Sequence, residues 1–585
     1  MEIVRLGTRE EVSSLIKELK GISLIVLDIE TDSLNTRQAK ILTIQLYEHT
    51  RNTAYIFSGI HAICLIDLEV DYLILQNFKY DYAVLYHNGI NILDKPFIDI
   101  MLLHHLEDEN AEHSLDSRVQ EIFEDNYKEE FWAKHVNFSD APQNEQDEYA
   151  CKDAYYTYKL FIESGMSAYL TPVSQLVHLL AKGLLLTELE GINVDKEYLL
   201  KQAKELSGQI NAAMPKMRSL CLPEIECIET DLWEKEISSY KTDKRRALVT
   251  KPKFNFNSSS QLQTLVYNYL NLPIQKNPKT KNPSLDEEAL ENLQDKHPLV
   301  KLLLDYRKVT KVYGSFIEGT LERLENGKIY PEFHVNGTVT GRLSSSNPNM
   351  QQLPTEGGIR GIYIPSPGNC FISADYSQLE VTIAAAFTQD KNLLRVVNEG
   401  ASLHDITANA LGISRSQAKT VNFAMQYGAS AFKIARILSI SVQEATLVHS
   451  KYWDTYRGLK VATEACNKLI DEGKPIVNPF GRARHFPIMK RLPWDKAYRQ
   501  GFNFLIQSTG ADLTNSSFGV IMGRLKHIGR PLFPIHDEIL SEIRQDRYEE
   551  AKEIIVSSME RISERVDLSL DLKVTCSGAL KRWKK

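Results

Sequence analysis

Two apolar runs that each end in acid, and that lie far apart in the chain, set the strongest constraint on its fold. Cys370-Phe371-Ile372-Ser373-Ala374 leads into Asp375-Tyr376-Ser377, and Leu532-Phe533-Pro534-Ile535 leads into His536-Asp537-Glu538. A carboxylate at the end of a buried strand needs a cation, because an unpaired buried charge is costly. Between the two runs, Arg415, Lys419, Phe423 and Tyr427 recur every fourth residue behind Ser414 and Gln417, a capping-box pair that predicts a helix start. Steps of four rotate about 40° and rise about 6 Å, so this helix presents two cations near its positive end and then two aromatic rings. The fold must therefore bring the acids to that face. Two carboxylates can hold divalent cations about 4 Å apart while helix cations hold a polyphosphate, which together describe in-line attack on a triphosphate. Each piece alone reads as well as a surface turn or a solvated helix.

A second acidic set lies near the N-terminus. Asp28 and Glu30 are two apart in Val26-Leu27-Asp28-Ile29-Glu30-Thr31, hence on one face of a predicted strand. Asp81 follows Asn77-Phe78-Lys79-Tyr80, and Tyr149 and Asp153 are four apart on a predicted helix. Four carboxylates and a phenol able to orient a water suit metal-assisted hydrolysis.

The 585 residues predict roughly three or four domains at about 150 residues each. Hydrophobic content of 43% and charged content of 25% describe a globular chain. The 7 cysteines are scattered without a Cys-x-x-Cys, which fits a reducing compartment. No secretory or transit segment opens the sequence, so a cytoplasmic, unsecreted protein without membrane association is expected. A net charge of -7 hides segregation: 107 to 148 is acidic, whereas 241 to 253, 482 to 499 and Lys581-Arg582-Trp583-Lys584-Lys585 are basic. Strand and helix signals alternate to about 165, helical periodicity dominates to about 330, and strands return around Asp375 and Ile535.

The ordered motifs resemble those of family A DNA polymerases, the bacterial DNA polymerase I type. Asp375-Tyr376-Ser377-Gln378-Leu379-Glu380, Arg415 to Gly428 and His536-Asp537-Glu538 match its three polymerase motifs. Thr340 to Ser345, Asn349-Met350-Gln351, His404 and Arg499-x3-Asn503-x3-Gln507 match further ones, covering most of the chain beyond about 180. Asp28/Glu30, Asp81 and Tyr149/Asp153 resemble the three motifs of the DEDDy 3′-to-5′ exonucleases.

The resemblance implies an α/β, ribonuclease H-like exonuclease domain over 1-165 and an α+β right-hand polymerase domain over 166-585. The thumb would span about 183-330, the palm about 331-388 and 499-585, and the fingers about 389-498. It implies two Mg²⁺ ions in the polymerase centre on Asp375, Asp537 and the Tyr376 carbonyl, with Glu538 assisting. Two divalent ions would sit on Asp28, Glu30, Asp81 and Asp153, with Mn²⁺ an alternative.

His404, Arg415 and Lys419 would grip the triphosphate, with Lys419 protonating pyrophosphate. Tyr376, Ser377, Gln378, Phe423 and Tyr427 would surround the nucleotide, and Glu380 would crowd a ribose 2′-hydroxyl. Phe423, in place of Tyr, implies discrimination against dideoxynucleotides. Arg342, Asn349, Gln351, Arg499, Asn503, Gln507 and His536 would touch primer-template DNA, and Thr31 and Leu34 a frayed 3′ end. A monomer acting on dNTPs is expected, with replisome partners unnamed by the sequence.

Departures from the bacterial pattern sharpen these expectations. No flap-nuclease segment precedes residue 1, so nick translation by this chain is not expected; the region of about 217-252 is longer than in the bacterial enzymes, phage-type relatives also carry extra sequence there, and an origin in a phage or other selfish element is expected. The segment from His404 to Arg415 is short, no processivity loop interrupts 306 to 341, and Pro534 predicts an edge or bulged strand. A standalone nuclease or a DNA-binding scaffold are the competing readings, which the complete acid sets disfavour.

Overall fold

The computed structural model describes residues 1–240, 249–277, 280–426, 428–487, 493–566 and 571–584. Tyr427, most of the 241 to 253 basic stretch and part of the 482 to 499 stretch lie outside the described residues.

The N-terminal sheet has the order β1-β4-β3-β2-β5-β6, with β1 Glu2–Leu6, β2 Leu24–Thr31, β3 Ile41–Glu48, β4 Thr53–Ser58, β5 Tyr72–Leu75 and β6 Phe97–Asp99. β3 runs antiparallel to both β2 and β4, while β1-β4, β2-β5 and β5-β6 are parallel. Helices α1 (Phe78–His87), α2 (Tyr127–Lys134) and α3 (Gln143–Tyr169) carry acids or their partners to this sheet. On α3, Ala150, Cys151 and Ala154 are buried: small residues that let the helix approach the strands closely.

Helix α3 meets α4 (Pro172–Glu190) at 106°, with Thr171 capping α4 and Pro172 in its first turn. Among the described residues no single helix is long and apolar enough to cross a membrane. The expected thumb start near 183 falls inside α4, whose Gly183 lies against Phe518; a Cβ there would come within 2.6 Å of that ring. The long helix α5 (Lys196–Leu220) follows, and a core of its own forms around Met217, Ile225, Leu265, Leu299 and Leu303.

The second catalytic-type sheet is antiparallel, with order β8-β9-β7-β10: β7 Asn369–Tyr376, β8 Gly529–Ile535, β9 Glu538–Arg544 and β10 Val574–Cys576. Helix α6 (Leu379–Thr388) leaves β7 directly, and α9 (Trp494–Arg524) packs under the sheet through Leu513, Phe518 and Ile521. Between them, α7 (Leu403–Leu411) and α8 (Arg415–Gln426) belong to a separate helical core with Val421, Met425, Ile434 and Tyr456. The expected boundary at 388 coincides with the end of α6, whereas the one at 499 falls inside α9.

Two candidate active sites

Strand β7 pairs with β9 so that Asp375 stands opposite Glu538, and the Tyr376 N–H donates to the Asp537 carbonyl at 3.1 Å. Ile535 and Glu538 face each other across β8 and β9, leaving His536 and Asp537 as a two-residue turn with His536 at φ 52°. A non-glycine residue in the left-handed region is held there by its surroundings, and this one aims the Asp537 side chain toward a cavity. Pro534 sits on the edge strand, as its missing N–H requires; the register shift lies just before it, between Pro531 and Phe533. Its carbonyl accepts from Gln351 Nε2 at 2.8 Å.

The α8 cap forms as expected: Gln417 N–H donates to Ser414 Oγ at 3.2 Å and Ser414 N–H to Gln417 Oε1 at 3.0 Å. Arg415, Lys419 and Phe423 all lie on the exposed face, with Ala418, Val421 and Asn422 turned into the core. Gly412, at φ 70°, ends α7 just before the Ser414 cap, which accounts for the short segment between His404 and Arg415. Buried Asn422, a residue the sequence did not single out, accepts from Thr407 and donates to His404 Nδ1 at 3.1 Å, leaving Nε2–H free to donate. Burial, then Arg415 and Lys419, lowers the His404 pKa, so the three cationic-type groups act on one another.

A cavity of about 770 Å³ joins these parts: Gln378, Glu380, His404, Arg415, Phe423 and Asp537 line it, together with Arg499 and Asn503 from α9. Glu380 accepts from Arg342 at 2.7 Å. Arg342, Asn349, Gln351 and His536 line a neighbouring cavity of about 230 Å³. Gln507 is half-buried on α9, one turn beyond Asn503. The Tyr376 ring is buried, its hydroxyl bonded to Ser517 and the Met559 carbonyl, so only its main chain remains for a ligand. Exposed Ser377 bonds Thr575 at 3.1 Å.

Glu538 is expected to assist the two aspartates. It is buried, with Arg360 at 3.0 Å on Oε2 and Ser373 at 2.6 Å on Oε1. Asp375 and Asp537 are partly exposed, and Asp537 lines the same cavity as Arg415; two such carboxylates are a donor set suited to divalent cations, with buried Glu538 paired opposite Asp375.

On the N-terminal sheet, one oxygen each of Asp28, Glu30 and Asp153 lies within 4.8 Å of the others. Burial and then the Asp153 charge raise the carboxyl pKa of Asp28 and Glu30 well above the usual range. Burial, then Asp28, does the same for Asp81. Such crowded acids are the complement of a multivalent cation. Asp81 is aimed by Asp99, which accepts from the Asn77 and Phe78 N–H groups at 3.0 and 3.1 Å and so anchors the start of α1. Asp153 accepts from Lys128 and Tyr127, both at 2.5 Å, and Tyr149 OH accepts from Trp132 at 3.2 Å. Neither Lys128 nor Tyr127 was marked by the sequence. Thr31 bonds Tyr80 at 2.5 Å, and Leu34 is 91% exposed.

A cationic helix and a strand-end acid on one cavity, together with a separate acid cluster on the N-terminal sheet, define a protein with two candidate cation-binding centres. The chain belongs to DNA polymerase family A, whose signature matches residues 229–585, and it carries a 3′-5′ exonuclease signature over residues 3–163. It is similar to DNA polymerase I of Borreliella burgdorferi, 29% identical over 594 residues covering 94% of this chain and 62% of that protein. It is also similar to a thermostable DNA polymerase I of Thermus filiformis, 32% identical over 65% of this chain and 48% of that protein. The chain thus spans about half to three-fifths of the length of these relatives. In fold it is similar to the "POL domain of Pol1 from M. smegmatis complex with DNA primer-template and dNTP", with TM-score 0.81, 21% identity and 99% of both chains covered.

Proposed function

We propose that the chain extends a DNA primer on a template with dNTPs and removes misincorporated 3′ nucleotides at its second centre. The observation that carries the reading is the single cavity shared by Asp537, Glu380 and the His404–Arg415 face, large enough for a nucleoside triphosphate. Two divalent ions at each centre, Mg²⁺ by preference, would activate the attacking oxygen and neutralise the leaving group. Asp375, Asp537 and the Tyr376 carbonyl would hold one pair, and Asp28, Glu30, Asp81 and Asp153 the other.

His404 Nε2–H, Arg415 and Lys419 would hold the triphosphate, and Lys419 would give a proton to pyrophosphate. Phe423, 52% exposed, offers its ring to sugar or base, with Gln378 and Ser377 nearby. Glu380, held by Arg342, would exclude a 2′-hydroxyl. Arg342, Asn349, Gln351, His536, Arg499, Asn503 and Gln507 would follow the primer-template minor groove, whose acceptors are nearly sequence-independent. Tyr149, fixed by Trp132, would orient the hydrolytic water, while Thr31 and Leu34 pack the frayed nucleotide. The palm, fingers and thumb correspond in this reading to the β7–β10 sheet, the α7–α8 core and the α5 core, working as a cytoplasmic monomer.

Asp537→Ala should abolish primer extension with Mg²⁺ and dNTPs while 3′ degradation persists; retained extension would sink the polymerase assignment. The paired Asp28→Ala and Glu30→Ala substitutions should do the converse.

A further inference from the structure

The stretch Lys581-Arg582-Trp583-Lys584 reads in sequence as a basic tail, but its centre is one of the most buried parts of the molecule. Trp583 is 0% exposed, and its Nε1–H donates to Glu538 Oε1 at 3.2 Å. The Arg360 guanidinium lies 4.5 Å from the Trp583 ring centroid while donating to the other Glu538 oxygen. The segment is tied down by its backbone: Leu580 exchanges hydrogen bonds with Phe371 on β7 at 2.8 and 2.9 Å, and Trp583 N–H donates to the Tyr363 carbonyl at 3.0 Å. The neighbouring Arg582 reaches the other way. It pairs with Asp195, donates to the Gly361 carbonyl at 3.1 Å and stacks 4.7 Å over Tyr198, at the point where Asp195 caps α5.

Resting on the polymerase reading above, we propose that Trp583 is a positioning residue for the polymerase centre. Its indole N–H fixes the Glu538 carboxylate, and through it the turn that sets Asp537 against Asp375. Arg582 extends the same tie to the root of α5, so the helix that leads into the thumb and the acid-bearing hairpin share one anchor. A buried carboxylate is kept in place by the full set of donors around it, and removing one leaves a lone pair to be satisfied elsewhere. An anion no longer fixed there would compete with Asp375 and Asp537 for the cations proposed for them.

Trp583→Phe separates the hydrogen bond from the packing, since phenylalanine keeps an apolar ring beneath Arg360 and removes the donor. The variant should lower kcat for primer extension by roughly tenfold, the loss typical of removing a partner that orients a metal-site ligand, with KM for dNTP unchanged. Degradation of single-stranded DNA should be unaffected, while the thermal midpoint without metal should fall modestly, as expected for a buried acceptor that loses a donor. Mg²⁺ binding, measured by calorimetry in an Asp28→Ala/Glu30→Ala background that silences the other centre, should weaken by a comparable factor. Unchanged kcat and Mg²⁺ binding would overturn the proposal. So would a loss shared by both activities, which would mark Trp583 as packing alone. Calorimetry reads the tie even if the wild-type chain fails to extend primers, so the two assignments fail separately.

Discussion

Lys128 keeps a crowded acid cluster folded in the absence of a bound cation. Burial by itself would lower its pKa, but Asp153 more than offsets that and the net shift is upward, so the ammonium is a fixed counter-charge. Lys128→Met should therefore destabilise the metal-free chain by about 3 kcal/mol, the usual cost of stranding one half of a buried pair. Added Mg²⁺ should then raise the thermal midpoint more in the variant than in wild type. Glu380→Ala, freeing Arg342, should narrow the preference for dNTP over rNTP by roughly tenfold, read from paired kcat/KM values. The acids were legible in sequence because their order and spacing are distinctive. Lys128 was not, since a lysine inside an acidic stretch reads as solvated until tertiary packing places it on Asp153. Glu538 was legible as part of a motif, but not as the buried carboxylate beneath the centre, because Arg360 and Trp583 are remote in sequence.

Helix α8 and strand β8 show the two sides of element-level reading. The cap, the direction and the exposed face of α8 followed from Ser414, Gln417 and the four-residue spacing, because helix signals are local. Ser414→Ala should cost about 1 kcal/mol. By loosening the turn that carries Arg415 it should raise KM for dNTP while leaving 3′ degradation intact. For β8 the sequence left two readings open, an edge or a bulged strand, because of the proline before the turn. Strand order resolves this: β8 is the edge, and Gln351 occupies a carbonyl that no neighbouring strand can reach. Strand order and register depend on residues far apart in the chain, so pattern and propensity cannot supply them.

Across the whole molecule, the N-terminal unit is tied to the rest through side chains that titrate. Glu109, buried, accepts from Arg484 at 2.7 Å and from His485 Nδ1 at 3.0 Å. His105 bridges His113 and the Thr338 carbonyl, each at 3.2 Å, and burial lowers its pKa, like that of His104, from 6.5 to about 4. A histidine whose folded-state value is depressed binds fewer protons folded than unfolded. Stability should thus hold above about 6.5 and be lost as pH falls toward about 4. His104, 2% exposed and with neither ring nitrogen bonded, has no hydrogen bond to lose, so His104→Leu should flatten that acid decline in thermal midpoints taken across the range. His105 also touches a short loop that leads to Glu380. Thr338, held by His105, donates to the Arg342 carbonyl at 2.6 Å, and Arg342 in turn holds the carboxylate of Glu380. Gly341, at φ 78°, admits the Arg482 side chain that a Cβ would meet at 2.6 Å. Under the function proposed above, a heritable change at Thr338 or Arg342 would bear on both which nucleotides are accepted and how firmly the N-terminal unit is docked. In that reading the loop would be a place where selection could set a mutation rate without touching any of the acids proposed to bind metal.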